Sequence, residues 1–337
     1  MSPELVTSPS RPTGSEVSAD SRPRLAWYAA VGRWAPSKHN SQPWRFDVRE
    51  QALDLWADPI RTLTSTDPHR REMVISCGAA VEFACVAARV HGYQPEVSLL
   101  PDGVGGCLAR LVEVGPWQPR ELDGLMLNAV SSRRTDRGPL DSSALPADLP
   151  FLLQAAAADQ GAALRMVSTP GDRSTLAHLV ERADRLLVRR RDAEQELAGW
   201  LREPGDPRRD GVPTDHTRGA AASYRAEFVQ RDFSSEGSHP AQDRPGRDRP
   251  LVGVLCTPSD GVADWLVAGR GLASVLLRAA VAGANASYLN QPVEETAIRV
   301  QLGDQLALPG VAQLVLRVGV GGPVSPPPRR LLSDLSG

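Results

Sequence analysis

A chain of 337 residues that is 41% hydrophobic and 23% charged belongs to the globular class, and its formal charge of −2 offers no general basic field to nucleic acid or an anionic membrane. The apolar runs are broken by charge before they could span a bilayer; even residues 74–90 carry Glu82 and Arg89. The four cysteines (Cys77, Cys85, Cys107 and Cys256) lie in apolar segments without CxxC spacing, which suits a reducing, cytoplasmic compartment and argues against a disulfide framework or a metal site.

Residues 1–22 are Ser/Pro-rich, lack the apolar run of a signal peptide and are expected as a disordered tail. A short amphipathic helix is predicted over 24–35, stopped by Pro36. Two alternating strands, 44–49 and 53–57, follow with a short turn between them. Asp67-Pro68 opens a long helix over 69–91 that Gly92 ends, and 96–100 and 108–114 read as strands. Helices are expected near 121–130 and over 144–158, with a strand at 163–168. One helix is predicted over 173–200, because its apolar residues at 176, 179, 180, 183, 186 and 187 share a face. Residues 203–250 are dense in Arg, Asp, Gly, Pro and Ser, with Tyr224, Phe228 and Phe233 as sparse anchors, and read as a lid or disordered insertion. A strand at 251–257, a helix at 260–282 and a strand at 314–318 follow. Pro326–Pro328 then leads Arg329 and Arg330 into an extended arm over 323–337.

The two long helices repeat one another. Gly78–Gly92 reads GAAVEFACVAARVHG and Gly269–Gly283 reads GRGLASVLLRAAVAG, and both pairs of end residues stand 191 apart, as do Pro101 and Pro292. Trp44-Arg45-Phe46 has an echo in Leu164-Arg165-Met166. Coincidence between two Ala-rich helices is the alternative. Duplication accounts for more, and it implies an α/β (α+β) unit present twice, 23–116 and 117–337, as a pseudo-dimer within one chain.

Two clusters carry polar chemistry. Ala35–Trp44 reads APSKHNSQPW, a stiff loop with two prolines, two hydroxyls and two amides, suited to a flat polar ligand. Ser131–Arg137 reads SSRRTDR, and its guanidinium groups could clamp a phosphate bidentately. Each taken alone could be an ordinary turn or a solvated charge run. Lys38 is the only lysine of the chain.

Together the two clusters resemble the nitroreductase family of FMN proteins, and more narrowly its Acg-type branch, in which two such units are fused. The resemblance covers about residues 25–330, and the A-P-S-x-x-N-x-Q-P-W match is its specific part. It implies a nitroreductase-like fold of mixed or antiparallel sheets flanked by helices. It also implies one FMN per chain, because the first half has the loop but no arginine run, and the second half has the run but Ala158–Ala162 where the loop should stand. By that resemblance Arg133 and Thr135 meet the phosphate end and Arg137 the N1/O2 edge of the ring, and Arg134 is also cofactor-binding. Pro36, Ser37, Lys38, Asn40 and Gln42 come from the first half; Leu289, Asn290 and Gln291 border N5 and O4; Arg329 and Arg330 form the basic arm. Many relatives carry Ser where Lys38 stands, and this amine either meets an anionic substrate or, as expected, points to solvent.

The implied function is an FMN oxidoreductase that moves a hydride through flavin N5 to or from a small organic substrate, coupled to NAD(P)H or to oxygen. The alternative is a non-catalytic flavin-binding or storage protein whose 203–250 segment covers the FMN. A monomer is expected, since the chain is its own pseudo-dimer. The Gly-rich stretches 103–106 and 319–322 are not followed by helices and read as turns, and no G-x-S-x-G or metal-spaced histidines occur. No acid–base residue stands out.

Overall fold

The computed structural model of the chain describes residues 20–216, 227–231 and 248–335. Most of the expected tail, and Tyr224 and Phe233 of the insertion, lie outside the described residues.

The first half begins with α1 (Arg22–Gly32), which has proline in its first turn. The expected extension to residue 35 is replaced by i→i+3 bonds from Trp34 N to Val31 O and Ala35 N to Gly32 O, which tighten the chain ahead of Pro36. Strands β1 (Trp44–Val48) and β2 (Ala52–Ala57) form a hairpin, α2 (Arg71–His91) crosses over, and β3 (Tyr93–Leu99) and β4 (Ala109–Pro116) complete an antiparallel sheet of order β1-β2-β4-β3. Phe46, Leu53, Leu55 and Leu111 pack in the core with α1 and α2.

Two helices, α3 (Glu121–Ser132) and α4 (Leu149–Ala158), lead into the second half. The predicted helix over 144–158 starts only at Leu149, because the preceding residues form turns, with Leu145 N bonded to Ser142 O and Leu149 N to Pro146 O. Then come β5 (Ala163–Met166), α5 (Pro170–Leu187), α6 (Arg191–Gly199) and the two-residue strands β6 (Leu201–Arg202) and β7 (Val212–Pro213), which pair in parallel. The single predicted helix over 173–200 is therefore two. Arg189 and Arg190 bond back to Leu186 and Leu187, three residues earlier, and end the first of them. Strand β8 (Leu251–Thr257), α7 (Val262–Val281), β9 (Asn285–Tyr288), the short α8 (Gln291–Glu294), α9 (Thr296–Gln305) and β10 (Val311–Gly319) follow. Their sheet is antiparallel and ordered β5-β8-β10-β9.

Both sheets thus have one order, with a long helix between the second and third strand of each. The echoing tripeptides at 44–46 and 164–166 fall on corresponding edge strands. What differs is the hairpin connection: residues 49–51 in the first half, 167–250 in the second.

Contrary to the expectation that charge breaks every apolar run, α2 is the one described helix long and apolar enough to cross a membrane, and 89% of its apolar window is buried inside the molecule. It packs against α7, and the crossing is close because it runs over glycine. A Cβ on Gly78 would overlap the Leu266 carbonyl oxygen, and one on Gly269 would overlap the Ile75 carbonyl oxygen. The contact is reciprocal, since residues 75 and 266 stand 191 apart just as 78 and 269 do.

Candidate functional site

A cavity lies between the halves. It is bordered by the loop after α1, the first turns of α2, the run after α3, β9 and α8, the C-terminal arm and two stretches of the insertion. The loop is held in a costly shape: His39, Asn40 and Gln42 have φ of 51°, 53° and 51°, the left-handed region that non-glycine residues enter at a cost of about 1–3 kcal/mol each. Its hydrogen bonds explain how the shape persists. Ser37 Oγ accepts from Gln42 N at 2.9 Å. Asn40 Nδ2 donates to Gly211 O (2.9 Å) and Pro328 O (3.0 Å), and Asn40 Oδ1 accepts from Arg329 (2.7 Å).

One end of the cavity is purely cationic. Arg133 is 5% exposed, and its Nε and Nη1 are buried without a partner. Arg134 donates to the carbonyls of Ser131, Arg133 and Val324, and Arg329 to Asn40, Trp34 and Ala35. None of the three is in an ion pair among the described residues. Burial lowers the pKa of each, and for Arg329 the neighbouring Arg133, Arg134 and Arg33 press it further, well below the ordinary arginine value. A buried cation without a counter-ion is costly.

The other end is charge-balanced. Lys38, expected at the surface, is buried with 8% of its side chain exposed. Its Nζ pairs with Glu72, lies 3.3 Å from Glu294 and donates to Thr66 O at 2.7 Å. The lysine differs from the expectation because it has buried partners: burial favours the neutral amine, but the Glu294 and Glu72 carboxylates outweigh it and raise the Lys38 pKa. Arg231 pairs with Glu294 through two guanidinium nitrogens. Burial alone would push the Glu294 carboxyl up, yet Arg231 and then Lys38 hold it at about 2. His39 is kept neutral, its pKa well below the usual value because of burial and the adjacent Lys38 and Arg231.

Arg137 and Tyr288 border the space between these ends, and burial pushes Arg137 down to about 10. Of the other residues named from the sequence, Pro36, Ser37, Thr135, Asn290 and Gln291 also border the cavity. Leu289, Gln42 and Arg330 do not. Leu289 is buried in the second-half core, Gln42 donates to Arg209 O and accepts from Arg330 N, and Arg330 pairs with Asp58. These last two anchor the arm to the loop. Sequence reasoning missed Glu72, Glu294, Arg231, His39 and Tyr288; the available signal was a carboxylate such as Glu72 in the first turn of a largely apolar helix.

The insertion completes the walls with Gly211–Pro213 near its start and Gln230 and Arg231 from its middle. Asp210 bridges Arg61 of the first half (2.9 Å) and Arg202 (2.7 Å), and Glu196 accepts from Ser65 N (3.0 Å) and Thr66 N (2.8 Å). Among the described residues no group of three His, Cys, Asp or Glu is placed to hold a metal.

No protein-family model matches the chain. A Mycobacterium tuberculosis protein provisionally named an NAD(P)H nitroreductase is 32% identical over 316 residues, covering 89% of this chain and 87% of that protein. The similarly named Acg of the same organism is 29% identical over 297 residues, covering 87% and 88%. Among solved structures, an FMN-bound nitroreductase from Bacteroides fragilis aligns with a TM-score of 0.38 at 14% identity, over 59% of this chain and 91% of that one.

Proposed function

The chain belongs to the nitroreductase family, and from that premise we propose that it is an FMN-dependent oxidoreductase holding one flavin between its two halves and coupling NAD(P)H to a small organic acceptor. The observation that carries the reading is the buried guanidinium of Arg133, partnerless at Nε and Nη1 beside Arg134 and Arg329. A phosphate supplies the anion this cluster lacks, and the residues present therefore fit FMN. Ser37, Asn40 and Thr135 would hold the middle of the molecule, with Arg137, Asn290 and Gln291 toward the ring.

When bound, the flavin supplies two-electron transfer by hydride at N5. The chain's own residues orient and insulate it. Arg137 would favour negative charge on the N1/O2 edge of the reduced ring. Gly211–Pro213, Gln230 and Arg231 of the insertion line the cavity, and Asn40 ties Gly211 to the loop.

The matching sheet orders and the reciprocal glycine crossing support a fused pseudo-dimer. Only the first half contributes the loop and only the second the arginine run, so one site is complete. The wall built by the insertion also favours a second reading, in which the covered flavin is stored rather than turned over.

Anaerobic mixing of the yellow protein with NADH or NADPH separates the two. Bleaching of the flavin band within seconds is the expected result. A flavin that dithionite alone reduces supports storage, and a colourless protein that ignores added FMN contradicts both readings.

A further inference from the structure

Glu72 stands where three separate parts of the chain meet the ring end of the cavity. Its Oε2 accepts from Lys38 Nζ, contributed by the first-half loop, and its Oε1 accepts from Asn290 Nδ2 of the second half at 3.2 Å. Asn290 is itself fixed, because its Oδ1 accepts from Val315 N at 3.0 Å. Lys38 reaches onward to Glu294, and Glu294 to Arg231 of the insertion. Two cations and two carboxylates therefore form one buried row, and all four residues border the cavity.

The duplicated unit lacks this row. The residues 191 positions away from Glu72 and Glu294 are Ala263 and Gly103. Helix packing and the sheet need neither carboxylate in the repeat, so their presence is tied to the one site that both halves complete.

We propose that Glu72 is a positioning residue that joins the two halves of the site at its ring end and, with Glu294, offsets Lys38 and Arg231 so as to set the reduction potential of the bound flavin. The inference rests on the FMN reading above. Its physics is that of charge in a poorly screened place. With all four groups present the row is neutral. Removing one carboxylate leaves a net positive charge beside the ring, which favours the electron-rich reduced form. Removing Lys38 leaves a net negative charge, which disfavours it.

The test is the midpoint potential of FMN bound to the full-length protein, measured by equilibration with a reference dye. Glu72→Gln should raise the potential, Lys38→Met should lower it, and the double variant should return close to the parent. Opposite signs and their cancellation are what a purely structural role would not give. If Glu72→Gln does not fold, Glu294→Gln replaces it with the same expected sign. Equal potentials in the parent and single variants, or shifts of one sign in both, overturn the proposal while leaving the FMN reading intact. A parent protein that takes up no FMN overturns both.

Discussion

Replacing Gly269 by valine is expected to destabilise the protein by about 3 kcal/mol or more, the upper range of what overpacking costs. Two effects compete at this position. A side chain in a helix interior gains from lost unfolded-state freedom, with alanine about 1 kcal/mol better than glycine. Against that, the new Cβ would overlap the Ile75 carbonyl oxygen and lie 2.8 Å from the Ala79 amide nitrogen. Both are backbone atoms of α2, so no rotamer change relieves the clash. The two central helices must part, and the packing of both halves goes with them. The clash wins. Gly78→Val should act alike, since its Cβ meets the Leu266 carbonyl from the other side. Gly303, in α9, has nothing within 4 Å of a built Cβ, and Gly303→Ala should instead gain about 0.4–1 kcal/mol. Urea midpoints of the three variants check this; a Gly269→Val midpoint equal to the parent's would mean that the helices do not cross as closely as described.

Arg133→Met is expected to weaken FMN binding by about tenfold to a hundredfold, from the ~1.5–3 kcal/mol of hydrogen bonds to a charged group. The same change should stabilise the FMN-free protein, because it removes a buried charge that has no counter-ion and replaces it with an apolar chain of similar length. Opposite effects on cofactor affinity and on apoprotein stability distinguish a ligand-binding arginine from a structural one. Thermal midpoints with and without FMN, together with a fluorescence titration, read both at once. A variant that binds FMN as tightly as the parent would falsify the phosphate assignment.

The parts of this fold that were legible in the sequence are those with local causes. The 191-residue separation marked α2 and α7 as a repeat; that they cross at Gly78 and Gly269 was not legible, because permissive small residues in a helix carry no sign of what packs on them. The strand at 251–257 was bounded correctly because an apolar run ended at Pro258. The break between α5 and α6 was not legible. Apolar spacing runs on to Leu187, and the turn at Arg189 and Arg190 has no glycine or proline to mark it, while the contacts of α6 are distant: Glu196 accepts from Ser65 N and Thr66 N. Strands β6 and β7 are two residues each, too short to show a period.

The site divides in the same way. The loop and the arginine run are contiguous motifs and could be named. Lys38 was placed in solvent because a lone lysine in a polar loop carries no sign of its partners. Glu72 lies 34 residues away, and Glu294 lies in the other half. Its burial is a property of the assembled pair of halves, as is the partnerless state of Arg133.

The central claim is that one complete flavin site is assembled from two incomplete halves. Its most direct test is the amount of FMN bound per chain at saturation, from flavin absorbance against protein concentration in the purified, FMN-loaded protein. The account predicts one FMN per chain, with the protein monomeric. A ratio near two would mean that each half holds its own flavin, and a ratio near zero that the arginine cluster serves another anion; either contradicts it.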